Sequence, residues 1–347
     1  MANVSDRLRV ALPLPFATFM EEALYGVGGY YCRENLAIGE AGDFVTGSSL
    51  SSLFGRATAR LVQRLDPVLD RRAELFEAGH GTGAHLAHVL SALVENGSAS
   101  RRVRGWDRVP RPVPKGAALV ADLSEVADGE IEGLIFSYEL FDALPFHRLI
   151  GRANGWAGEL WVDCGEDGEF SWHEGELSDP ALLDLLRSPD IHLQPGQIAD
   201  LAPGWTPLYT ELARKLGRGL LVTCDYGYER ERLLDPRVRM HGTLACYSRH
   251  RVHRNPFVLV GEQDLTAHVD FTALRSAGEA AGLTTFAFTR QALWLAACGL
   301  FEDLQEASAE TRLAAMTLLD GEGMGEDIRV LVQARGIDPA EVLRGLQ

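Results

Sequence analysis

Apolar residues in PFATFMEEALYG fall at Phe16, Phe19, Met20, Ala23 and Leu24, a spacing that lines one face of a helix ending at Gly26. The next stretch, 28 to 49, is glycine-rich and without period, and LSSLFGRATARLVQRL (50 to 65) resumes the helical pattern. From residue 73 the pattern changes. Short apolar runs (AELFEAG, VRGWD, AALVAD, GLIFSYE and, at 219 to 227, GLLVTCDYG) are expected as strands, separated by helical segments such as AHLAHVLSALVENG. Strands alternating with helices predict an α/β fold, a parallel sheet covered on both faces. Two further strands are expected at LTTFAFT (283 to 289) and IRVLVQA (328 to 334), with helices between them.

Residues 155 to 173, GWAGELWVDCGEDGEFSWH, alternate with period two around an acidic glycine turn and predict a β-hairpin projecting from the sheet. Trp156, Trp161 and Trp172 are expected to pack its strands together. The domain reading is an N-terminal helical cap and lid over 1–70 and a main domain over 71–347, with 151–210 inserted as a hairpin-containing segment.

The stretch LFEAGHGTGAHL (75 to 86) carries the first chemistry. Glycine at every second position between a strand and a helix is costly unless the backbone takes positive φ or a ligand approaches closely. Backbone N–H groups and the positive end of a helix dipole suit a carboxylate or phosphate there. The register Glu77-x-Gly79-x-Gly81-x-Gly83 is not that of the dinucleotide fingerprint, in which Ala84 would have to be glycine. It resembles motif I of class I S-adenosylmethionine (SAM) methyltransferases, which implies the methionine part of SAM over the glycine turn. Asp107, at the end of the next strand, is spaced to reach ribose hydroxyls, and Asp122, one strand further, to accept from the adenine amino group. His85 and His88 are expected on the surface of the helix that follows the turn.

Composition narrows the partner. The chain has 347 residues, 46% hydrophobic and 24% charged, as an ordinary globular protein does. No apolar run approaches the ~18 residues of a spanning helix, and arginines and prolines break the opening MANVSDRLRVALPLPFATF, so no signal peptide or membrane association is expected and the location is read as cytoplasmic. A net charge of -16 argues against nucleic acid and for a cationic partner. The five scattered cysteines suggest neither disulfides nor a thiolate metal site, and no metal is expected.

FSYELFDALPFH (136 to 147), with AGDFVTG (41 to 47), GYY (29 to 31), CDYGY (224 to 228), GEQDLTAHVDF (261 to 271) and GMGEDIRVL (323 to 331), resembles the MidA-like family of SAM-dependent methyltransferases. The resemblance runs in order from about Phe16 to about Val332. It implies a class I Rossmann-like fold with a mostly parallel seven-stranded sheet, SAM as cofactor, and methyl transfer to an arginine of a partner protein, a respiratory complex I subunit being the implied kind. A small molecule or peptide as acceptor, or a SAM-binding assembly factor without catalysis, are the alternatives. A guanidinium is a poor nucleophile until carboxylates localise its charge, and Glu139, then Asp142, are the candidates for that role. His268, near Asp264 and Asp270, is the candidate proton carrier. Asp43 and Thr46 are expected to close over the cofactor as a lid. The family's usual Gly-Pro-Gly-Arg-Gly is here Gly79-His80-Gly81-Thr82-Gly83; its Asn before the Glu is Tyr138; its Ser-Pro-Glu-Ile-Ser is Gly47-Ser48-Ser49-Leu50-Ser51.

Overall fold

A computed structural model describes residues 3–33, 46–98, 100–320 and 324–346. The chain divides into two compact units: Met1–Phe44, Phe141–Pro207 and Gly227–Ala273 form the first, and Val45–Leu140, Leu208–Tyr226 and Leu274–Gln347 the second.

The second unit is built on strands β1 (Glu74–Ala78), β2 (Val103–Trp106), β3 (Ala118–Val120), β4 (Ile131–Tyr138), β5 (Leu216–Tyr228), β6 (Thr284–Arg290) and β7 (Ile328–Arg335). They lie in the order β3, β2, β1, β4, β5, β7, β6. The pairs β3–β2, β2–β1, β1–β4 and β4–β5 are parallel, whereas β7 runs antiparallel to both β5 and β6. The sheet is therefore mixed, with parallel pairings in the majority as expected and β7 the antiparallel strand. The last two residues of β5, Gly227 and Tyr228, pair in parallel with Val269 and Asp270 within the first unit, which makes eight strands. An apolar run of seven residues carries no mark of its direction; the connections decide that.

Every residue of β1 is buried, as a central strand covered on both faces requires. Helices α1 (Ser52–Arg64) and α2 (Ala84–Glu95) pack against one another. The helix read as continuous from residue 50 is broken: a single helical turn spans Gly47–Leu50, and Ser51, with φ -142°, caps α1 by accepting from the Leu53 amide at 3.3 Å. Beneath these helices, Phe54, Phe136, Tyr138, Trp294 and His85 form an aromatic cluster, with ring centroids 5.3 Å apart for Phe54–Tyr138, 5.0 Å for His85–Phe136 and 5.9 Å for Phe136–Trp294. Full burial of each large aromatic contributes about 1.5–3 kcal/mol. Phe136 and Tyr138 reach it together because alternate residues of a strand share a face.

In the first unit the expected hairpin forms from Ala157–Cys164 and Phe170–Gly175, with Val162 opposite Trp172. It does not project alone. It belongs to a five-stranded antiparallel sheet completed by Leu14–Pro15, His147–Gly151 and Ile198–Leu201. The tryptophans differ from expectation as well. Trp156 is 70% exposed, Trp161 donates to the Glu176 carbonyl at 2.9 Å, and Trp172 packs on Phe16 and Phe257. Phe16–Tyr25 is a helix, as its spacing predicted, with Phe16, Phe19, Met20, Ala23 and Leu24 buried.

Candidate functional site

The glycine turn follows β1 and takes the conformation its composition demands. Gly79, Gly81 and Gly83 have φ of 79°, 53° and 77°, a region that L side chains rarely enter. Gly79 donates to the Trp106 carbonyl at 2.7 Å, and the Gly83 carbonyl accepts the first bond of α2, from Ala87 at 3.0 Å. A Cβ on Gly79 would touch Leu140 at 3.0 Å and one on Gly83 would touch Pro114 at 3.0 Å, but a Cβ on Gly81 would meet nothing within 4 Å. Gly81 thus opens onto free space at the mouth of the turn. The neighbouring His80 is buried, and neither ring nitrogen has a hydrogen-bond partner among the described residues. Open room over positive-φ glycines beside an orphaned imidazole fits a bound polar ligand of the size and polarity of SAM's amino-acid end.

Asp107 comes to this turn. Its Oδ2 accepts from the Gly81 amide at 2.8 Å and its Oδ1 from Val109 at 3.1 Å, so the acid expected at a ribose also fixes the turn itself. Asp122 is exposed and caps the short 3-10 turn Leu123–Glu125, accepting from the Ser124 amide at 2.8 Å; hydrogen bonding to the Ser124 side chain, then to this amide, holds its carboxyl below its ordinary value. Glu77 is buried at the end of β1, with Oε2 3.0 Å from His85 Nδ1. His85 was expected on the surface of α2 and is instead 2% exposed, because Ala84–Glu95 turns that face onto the aromatic cluster. Thr46 precedes the Gly47–Leu50 turn, its hydroxyl 2.7 Å from that of Ser49. Asp43 lies outside the described residues.

Glu139, at the exit of β4, is half-buried and has φ 49°. A non-glycine residue in that region costs about 1–2 kcal/mol. The strain is held from both sides: the Glu139 amide donates to the Cys224 carbonyl at 3.0 Å, and the Leu140 amide to Asp225 Oδ2 at 3.2 Å. Such strain, maintained by its surroundings, marks a position where side-chain direction matters.

Tyr138 is 4% exposed and turned into the core, where its hydroxyl donates to Gln291 Oε1 at 2.7 Å. Burial pushes its phenol well up, with Glu139 adding to the effect. A Cβ on Gly47 would lie 2.0 Å from that hydroxyl. A tyrosine at 138 thus goes with a glycine at 47, since any side chain there would collide with its hydroxyl.

Asp142 and His268 both lie in the first unit. Asp142 is buried, and its carbonyl accepts from Ala267 at 3.0 Å. Close to it Tyr31 donates to Asp264 Oδ1 at 2.9 Å and stacks on Tyr25 (centroids 5.4 Å, 16°), while Tyr25 donates to the Ala143 carbonyl at 2.9 Å. Burial pushes the Tyr31 phenol up, and the charges of Asp264 and Asp142 push it the same way. Residues 25–31, 142–143 and 264–267 thus assemble two buried carboxylates with a stacked tyrosine pair. Tyr25 was missed in the sequence; one helical position before a glycine gives no signal. His268 instead packs on Tyr228 (5.5 Å), and burial, followed by the Arg239 charge, holds it down at about 4. It is a neutral imidazole at neutral pH.

Among the described residues no group of three or more His, Cys, Asp or Glu is placed to hold a metal, and no helix is long and apolar enough to cross a membrane.

Residues 53–289 match the model of a family described as "Putative S-adenosyl-L-methionine-dependent methyltransferase". The chain is similar to a crystal structure from Burkholderia thailandensis bound to S-adenosyl-homocysteine, with a TM-score of 0.87 and 27% identity over 99% of this chain and 94% of that one. It also resembles proteins named "Protein arginine methyltransferase NDUFAF7, mitochondrial". The Xenopus tropicalis protein is 26% identical, covering 78% of this chain and 68% of that protein, and the mouse protein 24%, covering 79% and 68%.

Proposed function

From the premise that the chain belongs to this family of SAM-dependent methyltransferases, matched over residues 53–289, we propose that it transfers methyl groups to an arginine side chain of a partner protein. SAM is the cofactor; when bound it supplies a methyl group on a sulfonium and leaves as S-adenosyl-homocysteine. The observation that carries the arginine reading is the acid-and-tyrosine cluster of the first unit. Asp142 and Asp264 offer acceptors to a planar cation, and the Tyr25–Tyr31 pair offers aromatic faces, a combination that favours guanidinium. The names of the relatives support the same acceptor.

In this reading the second unit is the class I arrangement, with Glu77, the three glycines, Asp107, Asp122 and Thr46 as its cofactor residues. The Gly81 amide is ordered by Asp107, so the turn is set before the ligand arrives. Glu139 is assigned the role of drawing positive charge toward one nitrogen of the guanidinium. A displacement with so good a leaving group asks mainly for alignment and exclusion of water. The partner is an arginine-presenting protein, a respiratory complex I subunit being one such class, and the location is cytoplasmic.

The test is calorimetric titration with S-adenosyl-homocysteine, then incubation of the protein and labelled SAM with a cell lysate and analysis of labelled protein for methylarginine. Labelled methylarginine supports the proposal. Label confined to small molecules overturns the arginine acceptor, and binding without any transfer overturns catalysis in favour of docking.

A further inference from the structure

Beneath the glycine turn three polar side chains run in line through an apolar layer. Thr58 on α1 is fully buried, and Glu77 and His85 are each 2% exposed. Thr58 Oγ1 is 3.2 Å from the Phe54 carbonyl and 3.1 Å from His85 Nε2, and His85 Nδ1 is 3.0 Å from Glu77 Oε2. The rings of Phe54 and Phe136 flank the imidazole, with centroids at 5.4 and 5.0 Å. A threonine hydroxyl has one proton to give. Shared between the Phe54 carbonyl and His85 Nε2, that proton leaves Nδ1 as the ring's own N–H, on the side of Glu77. Nδ1 is left facing the carboxylate, at ion-pair distance though off the axis of an aligned hydrogen bond. Of the two Glu77 oxygens Oε2, beside His85, is the enclosed one.

We propose that His85, seated by Thr58, is a positioning residue of the cofactor site: it holds Glu77 Oε2 so that Oε1 receives the α-ammonium group at the methionine end of SAM. The inference rests on the reading of Glu77 as a cofactor residue and names what aims it. A carboxylate fixed in advance loses less freedom when its ligand arrives, and outer partners of a binding group are costly to remove for that reason.

The experiment is calorimetry of the full chain with two probes, S-adenosyl-homocysteine and 5′-methylthioadenosine, which lacks the amino-acid part. Thr58→Val weakens S-adenosyl-homocysteine about fivefold, the equivalent of one net hydrogen bond, and His85→Phe, which suits the aromatic cage, about tenfold or more. Both variants bind 5′-methylthioadenosine as the parent does, and Thr58→Ser, which keeps the hydroxyl, restores the affinity for S-adenosyl-homocysteine. Unchanged affinity in both variants, or an equal loss for both probes, overturns the positioning role, the second outcome being that of general damage to the fold. Glu77→Gln separates the premise: if it too leaves S-adenosyl-homocysteine binding intact, the reading of Glu77 as a cofactor residue falls.

Discussion

The interlock of Gly47 with Tyr138 can be tested by a double-mutant cycle. An ideal Cβ on Gly47 lies 2.0 Å from the Tyr138 hydroxyl, 3.0 Å from Cζ and 3.2 Å from Leu318 Cδ2, whereas ordinary contacts begin near 3.4 Å. The hydroxyl cannot step aside cheaply. It is bound to Gln291, whose amide in turn donates to the Leu318 carbonyl at 3.0 Å, and the ring packs edge-on against Phe54. Overpacking of this kind costs about 1–3 kcal/mol. Alanine gains up to ~1 kcal/mol over glycine in a helix, so Gly47→Ala is expected to destabilise by a net ~1–2 kcal/mol. Tyr138→Phe loses the bond to Gln291 and leaves a buried acceptor unpaired, at about 1–3 kcal/mol. In the double mutant the new methyl group takes space the hydroxyl has vacated. The two losses then fail to add, and the double mutant is more stable than the sum predicts by ~1 kcal/mol or more. Urea denaturation of the four proteins measures it. Additivity within ~0.5 kcal/mol, or a neutral Gly47→Ala, would refute the interlock.

Gly81→Val places a branched side chain at φ 53° in the open mouth of the turn and is expected to lower affinity for S-adenosyl-homocysteine at least tenfold by calorimetry; undiminished binding would place the ligand elsewhere. Glu139→Gln should leave that affinity within a few-fold while abolishing transfer of labelled methyl groups, and equal transfer would remove Glu139 from the reaction. His268 titrates at about 4 when folded against ~6.5 when unfolded. The unfolded chain therefore binds more protons in that window, and the stability due to His268 is full above ~6.5 and lost as pH falls toward about 4. His268→Phe should flatten stability against pH between those values; an unchanged slope would mean that the imidazole is not held neutral.

The sequence by itself determined the elements and the identity of the turn. Short continuous apolar runs marked the central strands, which are covered on both faces, and a period of 3.6 marked the helix of Phe16–Tyr25, because each buried surface must be apolar. Alternating glycines between a strand and a helix announced positive φ, since no other residue occupies it without strain. Tertiary structure decided the rest. Strand direction at β7 and the membership of the hairpin in a five-stranded sheet depend on connections that no local pattern encodes. His85 looked like a surface residue because a histidine in an apolar helix says nothing of which face it takes; burial against Glu77 and Thr58 supplied partners that lie 8 and 27 residues away. The acid-and-tyrosine cluster joins residues 25–31 to 264–267, and the tie between Gly47 and Tyr138 spans 91 positions. Such pairings are set by steric fit and by the need of buried polar groups for partners, conditions that exist only once the chain has packed.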